Sequence, residues 1–160
     1  MGFRAVVLFL ILILSSTLSV EYAWAREPVG PPPLWVVGQT ALPISSISQA
    51  QIIHILNLDS RIWKNGHSIR VAVLSDMLEK DDQWVQWLGF SSVDPFLSQW
   101  IEANLIQDWP PPKRFATLNE LLEFVKHTPG AVGFTNIQPT SLPPHIRTIR
   151  IEEAESRRGS

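Results

Sequence analysis

The chain has 160 residues, no cysteine and a formal net charge of −2 at pH 7. This weak charge argues against a nucleic-acid-binding protein or a protein of anionic membrane surfaces, because both need a cationic face. The absence of cysteine excludes disulfides, thiol chemistry and anchoring through a lipid-modified cysteine.

Residues 1–25 have the pattern of a cleaved signal peptide. Arg4 supplies the positive charge, the apolar run 5–14 follows it, and an A-x-A cleavage site ends the segment. The alternative is an uncleaved membrane anchor, but a spanning helix needs about 20 apolar residues and this run is shorter. We therefore expect export to the periplasm, a mature chain that begins at Arg26, and no membrane insertion after cleavage.

The remainder of the chain is expected to form a single domain. Residues 26–33 read as a Pro-rich extended leader, and residues 152–160 read as a flexible C-terminal tail. The segment between them, 34–151, is long enough for one hydrophobic core.

The first half of this domain predicts a strand, a helix and a second strand. The unbroken apolar run 34–38 is typical of a strand that is buried on both faces. Ser48 and Gln51 form a capping box that starts a helix, which we expect to end near Asn57. After a polar connection with an Asn-Gly turn, the apolar run 69–74 predicts the second strand.

The middle of the domain predicts two helices and a loop. The first helix is short and ends at Gly89, the second covers about 93–105, and the Pro-rich segment 109–112 cannot be helix interior. The side chains expected to form the core face of the second helix are Val93, Phe96, Leu97, Trp100, Ile101 and Leu105.

The clearest unit of secondary structure is residues 117–135. Thr117 and Glu120 form a capping box, apolar residues repeat at steps of three and four, and a Pro-Gly pair separates this helix from the apolar strand 131–134. Near the end, 146–151 alternates apolar and polar residues, which predicts an edge strand. Strands separated by helices indicate an α/β fold with a mainly parallel sheet flanked by helices.

Two segments carry a resemblance to a known family. The run TPGAVGF at 128–134 resembles the "PGAIGY" element of the phosphate-binding subunits of ABC transporters, in the type II periplasmic-binding-protein superfamily. The segment 44–66 resembles the family's "pvSsLsxxqlxxIFxGkixxWxdG" stretch, with Ser46, Trp63 and Gly66 at the matching places. The resemblance extends from the first predicted strand to the last and implies a single lobe of this fold.

Two departures from the family pattern bear on the ligand. The family binds its ligand between two lobes, and the matching segments here belong to the second lobe only. In that lobe the family strand that 69–74 resembles is followed by an Arg and a Ser-Gly-Thr turn, and the guanidinium and backbone N–H groups of these residues bind the oxyanion. This chain has Ser75, Asp76 and Glu79 there, with neither Arg nor Gly. The resemblance therefore implies a degenerate anion site.

The candidate ligand-binding residues are Ser75, Asp76 and Ser46. Ser75 and Asp76 follow a predicted parallel strand at its carboxyl end, where open α/β sheets bind ligands, although a solvated loop would show the same pattern. Ser46 belongs with Ser45 and Ser48 to a segment before a helix, which is either an anion nest or ordinary helix capping.

Other kinds of chemistry have no support in the sequence. The four histidines are scattered, and the chain lacks an H-E-x-x-H motif, a nucleophile elbow and a glycine-rich phosphate loop. We therefore expect no metal site, no cofactor and no enzymatic activity. Trp63 and Trp109 are expected to fix their loops to the sheet, with stacking on a ligand as the alternative.

Two hypotheses about function remain open. The first is an exported solute-binding-protein-like domain with a degenerate site, which binds a small anion or another small solute weakly. The second is a periplasmic protein–protein interaction module that retains the lobe and binds no small solute. Its partner would be a membrane transporter or a sensor protein, whereas a second lobe from another chain would pair with the domain of the first hypothesis. A concave polar pocket near Ser75 would favour the first, and an exposed apolar patch the second.

Overall fold

The computed structural model describes residues 32–79, 82–107 and 109–152. The expected signal peptide, most of the leader and almost all of the C-terminal tail lie outside these ranges, so their assignment stays a prediction. No helix within the described ranges is long and apolar enough to cross a membrane.

The described residues form six strands and five helices. The strands are β1 Trp35–Gln39, β2 Ser46–Ser48, β3 Arg70–Leu74, β4 Lys113–Phe115, β5 Ala131–Thr135 and β6 Ile146–Glu152. The helices are α1 Gln49–Leu56, α2 Ser75–Glu79, α3 Asp82–Trp87, α4 Val93–Gln107 and α5 Leu118–His127.

The six strands form one sheet in the order β2-β6-β1-β5-β3-β4. β1 is antiparallel to both of its neighbours, β5 and β6. The remaining three pairs are parallel. Five strands therefore run in one direction and β1 opposes them, which confirms the expected α/β domain with a mainly parallel sheet. The carboxyl ends of these five strands lie along the same edge.

The expectation that the last strand lies at the edge of the sheet is wrong. β6 lies between β1 and β2, because residues 46–48 pair with residues 150–152 and cover its outer side. β2 has only three residues, Ser-Ile-Ser, and such a short segment carries no periodic signal in the sequence. The three-residue β4 also escapes sequence prediction and forms the opposite edge beside β3.

The contact between α5 and β5 forms the centre of the core. Thr117 and Glu120 cap the helix as expected, and its Leu121 and Val125 are completely buried. A Cβ atom added to Gly133 on β5 would lie 2.5 Å from Leu121 Cδ2 and 3.2 Å from Val125 Cγ2. The glycine is therefore necessary for the close approach of the helix to the sheet.

α1 is joined to α4 through a hydrogen bond. The predicted capping box of Ser48 and Gln51 is present, and the helix is followed by its C-cap residue Asn57. The indole Nε1 of Trp100 on α4 donates to the carbonyl oxygen of Leu56, at 2.8 Å and inside the core. This bond satisfies one of the carbonyl groups that a helix end leaves without a partner.

The predicted apolar face of α4 is only partly correct. Phe96 and Trp100 are 0% and 2% exposed, whereas Ile101 and Leu105 are 59% and 78% exposed. Successive residues of an α-helix are about 100° apart, so Ile101 points well away from the line of Phe96 and Trp100. The six apolar positions form a stripe that is wider than the surface on which α4 packs.

The expected role of Trp63 as an anchor for its loop is supported by its contacts. Its ring is buried, and its Nε1 donates to the carbonyl oxygen of Gly130 at 2.9 Å. The loop after α1 is thereby held against the turn that precedes β5. The ring of Trp109 is half-buried and lies 5.3 Å from the guanidinium carbon of Arg61, a cation–π contact between two loops.

The position of α5 makes a prediction about stability. We expect Leu121→Ala to lower the free energy of unfolding by about 2 to 5 kcal/mol, because Leu121 is completely buried against Gly133. Leu105→Ala is the matched control, and a change within about 0.5 kcal/mol is expected because that side chain is exposed. Urea unfolding should show a lower midpoint for Leu121→Ala with an unchanged slope. Equal losses at the two positions would mean that the core face of α5 is assigned wrongly.

Candidate functional site

The two predicted residues that follow β3 lie at the carboxyl edge of the sheet. Ser75 is half-buried and is the first residue of α2, and the exposed Asp76 follows it. The helix begins directly after β3, so these residues belong to a short helix and not to the loop that the alternative interpretation expected. Glu79 ends the same helix and is also exposed.

The structure places Ser46 far from Ser75. β2 and β3 are separated by β6, β1 and β5, so four strand spacings of about 4.8 Å, roughly 19 Å, lie between them. A small solute cannot contact both residues. The hydroxyl of Ser46 donates to the carboxylate of Glu152 on β6 at 2.5 Å, which joins β2 to its neighbour. Ser48 accepts a hydrogen bond from the backbone N–H of Gln51, as a capping residue does.

An arginine that the sequence did not lead us to expect reaches the carboxyl edge from β4. Arg114 pairs in register with Val73 on β3, and its Nη1 lies 3.6 Å from Oε1 of Glu79. Both side chains are about half exposed, so this ion pair contributes little to stability. It places the guanidinium beside the last residue of α2. The residue was missed because β4 itself was not predicted.

A polar cavity of about 220 Å³ lies between the end of α1 and the middle of α4. Asn57 and Gln99 line it, and their amide nitrogens donate to the carbonyl oxygens of Leu88 and Asn57 at 3.3 and 2.9 Å. Their amide oxygens are buried and accept no hydrogen bond from any residue in the described part of the chain. Glu102 and Asp59 add carboxylates to the same walls.

A second cavity, of about 290 Å³, lies near the amino end of β3 and is called the Arg70 cavity here. Its walls include Arg70 from β3, Pro110 and Pro111 from the Pro-rich loop, Lys113 from β4 and Phe124 from α5. These residues come from three separate segments of the chain, which is why the sequence alone did not bring them together. One signal was visible in the sequence, since Arg70 is the charged residue inside the otherwise apolar run 69–74.

Neither Ser75, Asp76 nor Ser46 lines these two cavities. A third cavity, of about 210 Å³, lies between Ile44, Ile62 and Trp63. The three predicted ligand-binding residues do not line this cavity either. Within the described ranges, no group of three or more His, Asp or Glu side chains is arranged to hold a metal ion.

Comparisons with known proteins give only distant likenesses, all of them among solved structures. No protein-family model matches the chain, and no curated protein matches it. Among solved structures, the chain is similar to the crystal structure of an ABC-type phosphate transport receptor from Vibrio cholerae, with 19% sequence identity and a TM-score of 0.48. The match covers 77% of this chain and 47% of that chain, so this chain spans about half the length of the structure that it matches. At this identity and TM-score, the likeness does not establish a common function.

Proposed function

We propose that the chain is an exported, non-catalytic solute-binding-protein-like domain whose site for phosphate is degenerate. The proposal is supported by the resemblance of segments 44–66 and 128–134 to the phosphate-binding subunits of ABC transporters. The mainly parallel sheet, with five carboxyl ends along one edge, is compatible with one lobe of such a protein.

The observation that carries the degenerate site is the charge of α2. Asp76 and Glu79 are both exposed on the five-residue helix that Ser75 begins. Each carboxylate opposes the binding of a dianion at this edge, and Arg114 on β4 already lies beside Glu79. Because solvent reaches both carboxylates, water competes for the remaining hydrogen bonds.

A second candidate function, a periplasmic protein–protein interaction module, is favoured by the outer face of α4. Ile101, Leu105 and Ile106 are 59%, 78% and 70% exposed. Ile101 and Leu105 are four residues apart and therefore lie on the same face of the helix. Burial of such side chains against another protein would remove apolar surface from water, at about 25 cal/mol for each Å². The partner would be an apolar surface of a transporter or a sensor.

Export makes the first prediction of this proposal. We expect the mature protein to begin at Arg26, because small residues precede it at the two positions that signal peptidase reads. N-terminal sequencing of the protein from the envelope fraction measures this directly. An intact chain that begins at Met1 and remains in the membrane fraction would show that residues 1–25 act as an anchor.

The degenerate site makes the second prediction. We expect phosphate to bind the mature protein with a dissociation constant weaker than about 1 mM, a free energy of only about −4 kcal/mol. In isothermal calorimetry, the double variant Asp76→Asn/Glu79→Gln should bind phosphate about threefold to tenfold more tightly than the wild type, because two opposing charges are removed. The control is Asp94→Asn, which removes an exposed charge on α4 and should change nothing. Saturable micromolar binding to the wild-type protein would contradict the proposal.

The second candidate function makes the third prediction. A protein captured from an envelope extract and then purified should bind the wild-type domain at least about tenfold more tightly than Leu105→Glu, because a charge replaces an apolar contact. Asn119→Glu places the same charge on an exposed position of α5 and should bind like the wild type. If Leu105→Glu retains full affinity for the purified partner, α4 is not the interacting surface.

A further inference from the structure

We propose that the Arg70 cavity is a binding site for a small organic carboxylate with an apolar body. This site is distinct from the degenerate phosphate site, because Arg70 begins β3 and Ser75 follows its end. Five residues of strand at about 3.3 Å each place roughly 16 Å between the two positions. The proposal therefore does not depend on the fate of the phosphate site.

The first argument is the excess of positive charge on the cavity walls. Arg70 and Lys113 both line the cavity, and among the residues that the structure describes no carboxylate side chain lines it. Neither cation forms an ion pair or a side-chain hydrogen bond with any other residue of the described ranges. Arg70 is half-buried, and within the described ranges its guanidinium has no hydrogen-bond acceptor. An anion in the cavity would supply that acceptor through charge-assisted hydrogen bonds.

The second argument is the fixed placement of the two cations. Ala72 pairs in register with Lys113, so Arg70 lies two residues before the partner of Lys113. Strand geometry then puts the Cα atoms of Arg70 and Lys113 roughly 8 Å apart on the same side of the sheet. The ammonium of Lys113 lies 5.1 Å from the centroid of the Phe124 ring, a cation–π contact that holds it beside the cavity.

Other charges near the cavity leave this positive excess in place. Thr128, which follows α5, lines the cavity, so the helix contributes about half a negative charge there. The carbonyl oxygens of Val125 and Lys126 in its last turn accept hydrogen bonds from the amide of Gln39, each at 3.0 Å. Glu123 lies on the same helix, and its carboxylate is paired with Lys126 at 3.4 Å. Two full positive charges outweigh the partial charge of the helix end.

The third argument concerns the apolar walls, which distinguish an organic carboxylate from inorganic phosphate. Pro110, Pro111 and Phe124 present carbon surface to the cavity. A ring or short chain could pack on this surface while the carboxylate contacts the cations, whereas phosphate has no apolar part to bury. The cavity of about 290 Å³ is also close to the lower limit of about 300 Å³ for small-molecule pockets, which suits a small ligand.

Phenylacetate is a suitable probe, and 2-phenylethanol is its uncharged counterpart. In calorimetry on the mature protein, phenylacetate should bind saturably at concentrations up to about 10 mM and should raise the melting temperature. 2-Phenylethanol should do neither, because it lacks the charge that Arg70 and Lys113 contact. Equal binding of both compounds would overturn the carboxylate assignment, and no saturable binding of phenylacetate would overturn the site.

Charge-removing variants locate the binding on the protein. Arg70→Gln should weaken phenylacetate binding about tenfold, as expected for the loss of one charged hydrogen bond, and Lys113→Gln about threefold. Lys113 is exposed, so its variant tests the site even if Arg70→Gln fails to fold. Arg114→Gln removes the neighbouring charge on β4, outside the cavity, and should bind phenylacetate like the wild type. Equal weakening by Arg114→Gln and Lys113→Gln would show non-specific charge attraction and overturn the proposal.

Discussion

The close approach of α5 to β5 is the contact on which the rest of the domain depends. Gly133 has no side chain, so Leu121 and Val125 reach the sheet directly and lie fully buried over it. The short distance between α5 and the sheet also fixes the position of Phe124, one residue before Val125, and of the residues that follow the helix. The wall that α5 contributes to the Arg70 cavity is therefore a consequence of core packing. A larger residue at position 133 would displace both α5 and this wall.

The parts of the fold that were predictable from the sequence are those with strong local signals. The capping boxes at Ser48 and Thr117 correctly marked the starts of α1 and α5, and the apolar runs correctly marked β1, β3 and β5. The short strands β2 and β4 were missed, since three residues give neither periodicity nor burial pattern. The omission of β2 placed β6 at an edge, and the omission of β4 hid the position of Arg114 beside α2.

For the candidate sites too, the features that depend on the order of elements were predictable, and those that depend on the tertiary fold were not. The position of Ser75 and Asp76 at the carboxyl edge followed from the order of strands and helices, because parallel strands end along one edge. The distance between Ser46 and Ser75 could not be predicted, since it depends on β6 and β1 lying between their strands. The Arg70 cavity requires side chains from several segments to converge, and the spacing of residues along the chain does not predict which segments meet in the fold.

The end of α5 explains how Arg70 is tolerated without a carboxylate partner among the described residues. A buried or half-buried cation is costly unless nearby negative charge compensates it. The carbonyl-rich end of α5, followed by Thr128 on the cavity wall, supplies partial negative charge to a cation at the start of β3. A carboxylate partner would neutralise the guanidinium fully and leave no attraction for a ligand. Compensation by a helix dipole is only partial, so it stabilises the arginine in the fold and still leaves its charge available to an incoming anion.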